Sequence, residues 1–310
     1  MKQWGLVLTV LLSAQAFAQE STTSSLQAAD VQSTAADTIA TSTTTAPVVN
    51  SPWKLTLGSE NYSYELDQKN LGSGAPIISY NWVGAKYVIS PKWEVELRQQ
   101  FQYATNKENL AGRDRALHRS SFEMAETVLR LAAKPAWNLL GSKTQIFELR
   151  YYAPTDHAAQ ENKELGRLRA DAWIEWAATP KWTFAAWASP RVQFNSANNP
   201  NTKVGADAEY YQVKAAPYVM YNINDHITPY YAYNLVEKYS QAQRGDWSPD
   251  MANVGAHETG VFFNYGAWMV NPSLISETDL NNGTGSILSE DSRAYSYENL
   301  SYNLNVYATF

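Results

Sequence analysis

The chain of 310 residues has no cysteine, which excludes disulfides, thiolate metal sites and the lipid-bearing Cys of an exported lipoprotein. Histidine is scarce, with 4 in all, so imidazole catalysis and imidazole metal sites have few places to arise. Charged residues make up 17% and the net charge is -6, so no basic surface for nucleic acid is expected. After Leu12 no run is long and apolar enough for a membrane helix, which needs roughly 20 residues. What the chain has in quantity is aromatic residues: 20 Tyr, 11 Trp and 9 Phe. Many aromatics with modest charge and little overall hydrophobicity fit a transmembrane β-barrel. Its strands alternate lipid-facing apolar with lumen-facing polar residues and so dilute the average.

The amino end reads as an export address. Lys2 supplies the positive start, Leu6 to Leu12 a short apolar run, and Ala16-Phe17-Ala18 the small residues a signal peptidase requires. A signal peptide over 1–18 is expected, with cleavage after Ala18. Residues 19–51 are rich in Ser, Thr and Ala and hold no aromatic. They cannot bury enough apolar surface to offset their ordering entropy, so a disordered periplasmic linker is expected. A plug, or a tether to another envelope component, is the alternative. The barrel then occupies 52–310.

Prolines at 52, 91, 135, 180, 229 and 272 are separated by 39, 44, 45, 49 and 43 residues. Four are followed two residues on by an aromatic: Trp93, Trp137, Trp182 and Tyr231. Trp53 stands directly after Pro52, and Pro272 has no such partner. Proline presets a tight turn and lacks the donor that a mid-strand position needs, so each is expected to open a strand. An aromatic just inside the turn suits the membrane interface. Each repeat then holds an upward strand, a long loop and a downward strand, and six repeats give twelve strands. Period and tryptophans also suit a β-propeller, but each repeat holds two long strands rather than four short ones.

Trp93, Val95, Leu97, Phe101 and Tyr103 alternate with Glu94, Glu96, Arg98, Gln100 and Gln102, and only Gln99 interrupts the apolar face. Ten steps at ~3.3 Å with ~40° of tilt rise about 25 Å, the height of a barrel's apolar band. Residues 167–176 and 182–194 repeat the pattern. Around 134–146 the alternation slips. Near Tyr211, in the strand carrying Pro217, its parity changes as a β-bulge would require. The eleventh strand is expected within 273–281. At the carboxyl end Leu300, Tyr302, Leu304, Val306, Ala308 and Phe310 alternate with polar residues. A last strand ending in Phe resembles the assembly signal of Gram-negative outer-membrane barrel proteins, with Tyr302, Leu304, Val306 and Phe310 as its recognised face. The resemblance implies the barrel-insertion machinery as a partner during assembly.

The inward faces are expected to carry Arg98, Arg130, Arg150, Arg167, Arg169 and Arg191 against Glu94, Glu96, Glu126, Glu148, Asp171 and Glu175. Opposed rows of charge in a pore filter solutes by charge. The same residues, paired across the lumen, would close it as a salt-bridged core. Strand number and lumen charge resemble small twelve-stranded porins, including oligogalacturonate and sialic-acid channels whose lumens carry arginine rows. The resemblance implies passive diffusion of small hydrophilic solutes, without cofactor, metal or chemical step. Acidic residues match the arginines in number, which speaks against anion selectivity. Trp173, Trp187 and Tyr307, also inward, suit a nucleoside-type channel.

Two other function classes remain. Outer-membrane phospholipases use His, Ser and Asn, and His118-Arg119-Ser120 is the nearest arrangement. Omptin-type barrel proteases use an Asp-His pair, and Asp156-His157 falls in the third outer loop; Asp225-His226 suits a turn. These pairs do not by themselves make a catalytic site, so no enzyme is expected and a hydrolase stays a remote alternative. A closed barrel used for adhesion or for lipopolysaccharide or phage contact is the nearer one. Its outer loops hold a mainly basic stretch, Lys107 to Arg119, and the acidic Glu277, Asp279, Glu290 and Asp291.

Overall fold

The computed structural model describes residues 51–63, 77–104, 121–135, 137, 139–161, 164–195, 209–240, 252–279 and 300–310. The expected signal peptide, all of the linker but Ser51, the His118–Ser120 arrangement, the basic loop, Glu290 and Asp291 lie outside these. The described chain forms twelve strands: β1 (Trp53–Ser63), β2 (Ile77–Ser90), β3 (Trp93–Ala104), β4 (Phe122–Ala133), β5 (Thr144–Ala153), β6 (Glu164–Ala177), β7 (Trp182–Asn195), β8 (Glu209–Tyr221), β9 (Ile227–Ser240), β10 (Ala252–Tyr265), β11 (Trp268–Asp279) and β12 (Leu300–Thr309). Each pairs antiparallel with its neighbours and β1 closes on β12, so the sheet has no edge. One short helix, α1 (His157–Glu161), lies between β5 and β6. Backbone bonds between Leu55 and Phe310, 2.9 and 3.1 Å, lock the seam. There the Phe310 ring meets Trp268 edge-on at 5.6 Å.

Alternation along the strands sorts the side chains. On β3 Trp93, Leu97 and Tyr103 are exposed on the outer wall, while Glu94, Glu96, Arg98 and Gln102 are buried inside. On β12 Tyr302 and Leu304 point out, as does Phe310 just after it, and Ser301, Asn303, Asn305 and Tyr307 point in. The outer wall carries exposed Leu, Phe, Val and Trp on strand after strand, as a lipid-facing surface requires.

Two of the irregularities in the strand pairing fall where the alternation breaks. Gln99 faces outward beside a bulge where β4 gains a residue against β3. Its amide donates to the Ala125 carbonyl at 3.0 Å, and Thr127 Oγ1 donates to its Oε1 at 2.7 Å. The Thr127 amide, freed by the bulge, donates to Thr155 Oγ1 at 2.8 Å. A backbone group bare toward lipid would cost several kcal/mol, so the polar residues complete the wall. A second bulge leaves Tyr210 unmatched between the Glu209–Ser240 and Tyr211–Tyr239 pairs, the place where the sequence changes parity.

The proline rule holds at three of six positions. Pro52, Pro91 and Pro180 stand before β1, β3 and β7, and Trp53, Trp93 and Trp182 are the first residues of those strands. Pro135 instead enters a longer connection with a 3-10 turn over Leu139–Gly141, which accounts for the slipped alternation and puts Trp137 outside β5. Pro229 is the third residue of β9; its turn is set by Asn224, whose Oδ1 accepts the His226 and Ile227 amides at 2.9 Å each. Pro272 lies inside β11, so the expected start at 273 is wrong: β11 begins at Trp268, after a Gly266-Ala267 turn in which Gly266 takes φ +60°. Pro190, Pro217 and Pro272 sit mid-strand, and one neighbouring ladder is interrupted beside each. At Pro272 the Asn271 side chain donates to the Val261 carbonyl at 3.2 Å, replacing the donor that proline lacks.

Candidate functional site: the barrel lumen

Three side-chain systems share the interior. The first is a ladder of alternating charge across β2–β6. Lys86 stands 4.0 Å and Lys134 3.8 Å from Glu94, which also accepts from Arg130 at 3.1 Å. Glu96 binds Arg98 through two bonds, 2.8 and 2.9 Å, and Arg130 at 3.0 Å, and takes the Thr56 hydroxyl as well. Glu148 joins Arg130 and Arg150, each at 2.5 Å. Asp171 continues to Arg150 at 3.4 Å and Arg169 at 2.9 Å, and Arg169 donates to the Tyr152 hydroxyl at 3.0 Å. Arg167 pairs with Glu126 and lies 5.3 Å over the Tyr152 ring.

All twelve charged residues named from the sequence sit on strands of this inner wall. Nine of them, from Arg130 at 0% to Arg169 and Glu126 at 8%, are buried; Arg167, Arg191 and Glu175 are half-buried. Glu175 accepts the Trp173 indole N–H at 2.7 Å. Arg191 stands directly opposite Arg169.

The second system is an aromatic layer near the end of the barrel that carries the short turns. Trp173 and Trp187 face each other across β6 and β7, joined by Trp82, Tyr218, Tyr230, Phe262, Met269 and Tyr307. Trp173 is 0% and Trp187 2% exposed. Tyr230 stacks on Phe262 with centroids 4.4 Å apart. Small residues make room for the rings: a Cβ on Gly58 would lie 2.0 Å from the Trp82 indole, so the ring occupies the space that glycine leaves. Arg98 sits 4.9 Å over the same indole, linking layer and ladder.

The third is a polar stripe on β9–β12, absent from the sequence-derived site residues. Asn271 pairs with Asn305 and Ser273 with Asn303 in register. Glu258 accepts Asn234 Nδ2 at 3.0 Å and the Tyr230 hydroxyl. Glu60, opposite Asn305, accepts the Tyr307 hydroxyl at 2.9 Å. The signal that would have found this stripe is the run of asparagines at alternate positions, 303 and 305, in a strand whose other face is apolar.

The remaining candidates fall apart or lie elsewhere. Asp156 accepts the Ala159 amide at 2.7 Å as the cap of α1, and the His226 imidazole contacts the Asn264 carbonyl at 2.8 Å beside its turn. His257 faces outward, its Nδ1 2.6 Å from the Tyr231 hydroxyl. Tyr231 therefore stands four residues into β9 rather than at its start, where Tyr221 and Tyr265 mark the turns on either side.

No protein-family model matches the chain, and no curated protein matches it. Among solved structures it is similar to an outer-membrane channel from Pseudomonas putida F1, at 12% identity and TM-score 0.49, over 86% of this chain and 98% of that one. It is also similar to NanC porin, at 10% and 0.45 over 82% and 98%, and to KdgM porin, at 8% and 0.42 over 82% and 99%. At these identities the likeness concerns the barrel wall and leaves the contents of the lumen to be read from this chain's own residues.

Proposed function

We propose that the chain spans the outer membrane of a Gram-negative bacterium as a narrow porin-like channel, through which small hydrophilic solutes diffuse down their gradients. The apolar outer wall with tryptophans at the strand starts supports membrane insertion, with the amino and carboxyl termini and the short turns in the periplasm. In this reading a signal peptide over 1–18 exports the chain, a linker over 19–51 precedes the barrel, and β12 is the strand engaged by the insertion machinery. The rims contact lipid and lipopolysaccharide.

The observation that carries the channel reading is the chemistry of the lumen above the aromatic layer. A cavity that only had to be filled would gain little from buried ions, because ion pairing barely repays desolvation and apolar packing does as well. Here the ladder and the amide stripe line the interior with groups suited to water and solutes, and the ladder's charges act as its selectivity elements. A second reading, a non-conducting barrel for structure or surface recognition, is favoured by the burial of Trp173 and Trp187, which narrows the turn end. Release of small solutes from proteoliposomes separates the two. The channel reading expects release of hexose-sized solutes and retention of large dextrans; retention of every solute overturns it.

A further inference from the structure

We infer that the inward amide stripe of β9–β12 is a solute-binding track for neutral polyhydroxylated molecules, distinct from the ion-pair ladder across the lumen. The inference rests on the channel reading and names its substrate class. Both amide atoms of Asn303 and of Asn305, the Asn234 Oδ1 and the Ser273 hydroxyl have no hydrogen-bond partner among the described residues. Each of these side chains is at least nine-tenths buried. On the ladder most charged atoms are matched, Arg130 Nε being an exception. A buried polar group without a partner costs stability, and several on one face call for an occupant that supplies partners.

The donor set identifies that occupant. Each amide offers an acceptor and two donors, and serine offers both, so the stripe matches a ligand whose own groups donate and accept together. Sugar and polyol hydroxyls do this; a carboxylate or phosphate only accepts, and an ammonium only donates. Charge gives the same answer. β10, β11 and β12 contain no Lys or Arg, and the one such residue on β9, Lys238, lies four positions along the strand from Asn234, so the strands that carry Asn271, Ser273, Asn303 and Asn305 offer an anion no counter-charge. The one inward carboxylate at the stripe's β10 position, Glu258, is already bound by the Tyr230 hydroxyl and the Asn234 amide.

The test is the ion current of refolded full-length protein in a planar bilayer, titrated with sucrose and, separately, with sodium gluconate. Sucrose should reduce the current saturably, and gluconate should not. The double variant Asn303→Leu with Asn305→Leu should raise the half-blocking sucrose concentration at least about tenfold. Its residual ion current reports that it is folded and inserted; if it does not insert, Asn305→Ala should move the same reading in the same direction. Equal block by both solutes, or an unchanged half-blocking concentration, overturns the track and leaves the channel. Absence of ion current in the unmodified protein overturns the channel reading and the track with it.

Discussion

Arg130 on β4 and Arg150 on β5 stand directly opposite each other, and one carboxylate, Glu148, binds both at 2.5 Å. Like charges at facing positions repel, so the pair depends on Glu148. Arg150 and Arg169, then Arg169 and Arg191, repeat the facing arrangement on the next strands.

Glu148→Gln should therefore destabilise the barrel by about 3–5 kcal/mol, the range for breaking a buried ion pair from one side. Adding Arg150→Gln removes one of the two facing cations, leaving Arg130 to Glu94 and Glu96, and should recover part of the loss. Urea unfolding in lipid vesicles measures both, and additive losses would mean that Glu148 does not couple the arginines.

Gln99 offers a less obvious case. Alternation alone marks it as a polar intruder on an apolar wall, so Gln99→Leu would look favourable. The bonds to Ala125 and Thr127 predict the reverse, a loss of about 1 kcal/mol, because the Thr127 hydroxyl would lose its acceptor and the bulge's Ala125 carbonyl would keep only the 3.3 Å bond from Thr155 Oγ1. A variant as stable as the parent would show that lipid or water serves that carbonyl equally well.

Gly58→Ala puts a methyl where the Trp82 ring lies. The ring must move within the aromatic layer, at a cost of about 1–3 kcal/mol. Gly266→Asn, at a left-handed turn position with open space around it, should cost well under that. Comparable unfolding midpoints for the two variants would contradict the packing.

The contrast among these sites marks what the sequence makes legible. Trp93 to Tyr103 and Leu300 to Phe310 alternate so regularly that face, strand length and closing strand follow from the residues alone. The inward position of Trp173, Trp187 and Tyr307 follows from the same parity. Pro229 and Pro272 mislead, because a strand can absorb a proline when a neighbour such as Asn271 supplies the missing donor. Strand count survived that error since the hairpins have similar lengths wherever the turn falls. Connectivity within the ladder stays hidden because it depends on register between strands, which no single strand encodes. The stripe of Asn303 and Asn305 carries no charge to draw attention, and asparagine is a poor strand former, so only the register between β11 and β12 brings it together with Asn271 and Ser273.

Arg167 and Arg169 are bound to Glu126 and Asp171. Replacing both arginines by serine leaves Glu126 uncompensated and Asp171 with Arg150 alone on the lumen wall, so the reversal potential in a salt gradient should move toward cation preference. No change would place these residues away from the conducting path.

The central claim is that an aqueous path runs through this barrel despite its aromatic layer. Single-channel recording of the refolded full-length protein in planar bilayers tests it most directly. Discrete conductance steps, smaller than those of a wide sixteen-stranded porin and lowered by sucrose, are the predicted result; repeated insertion without any step above leak would contradict it.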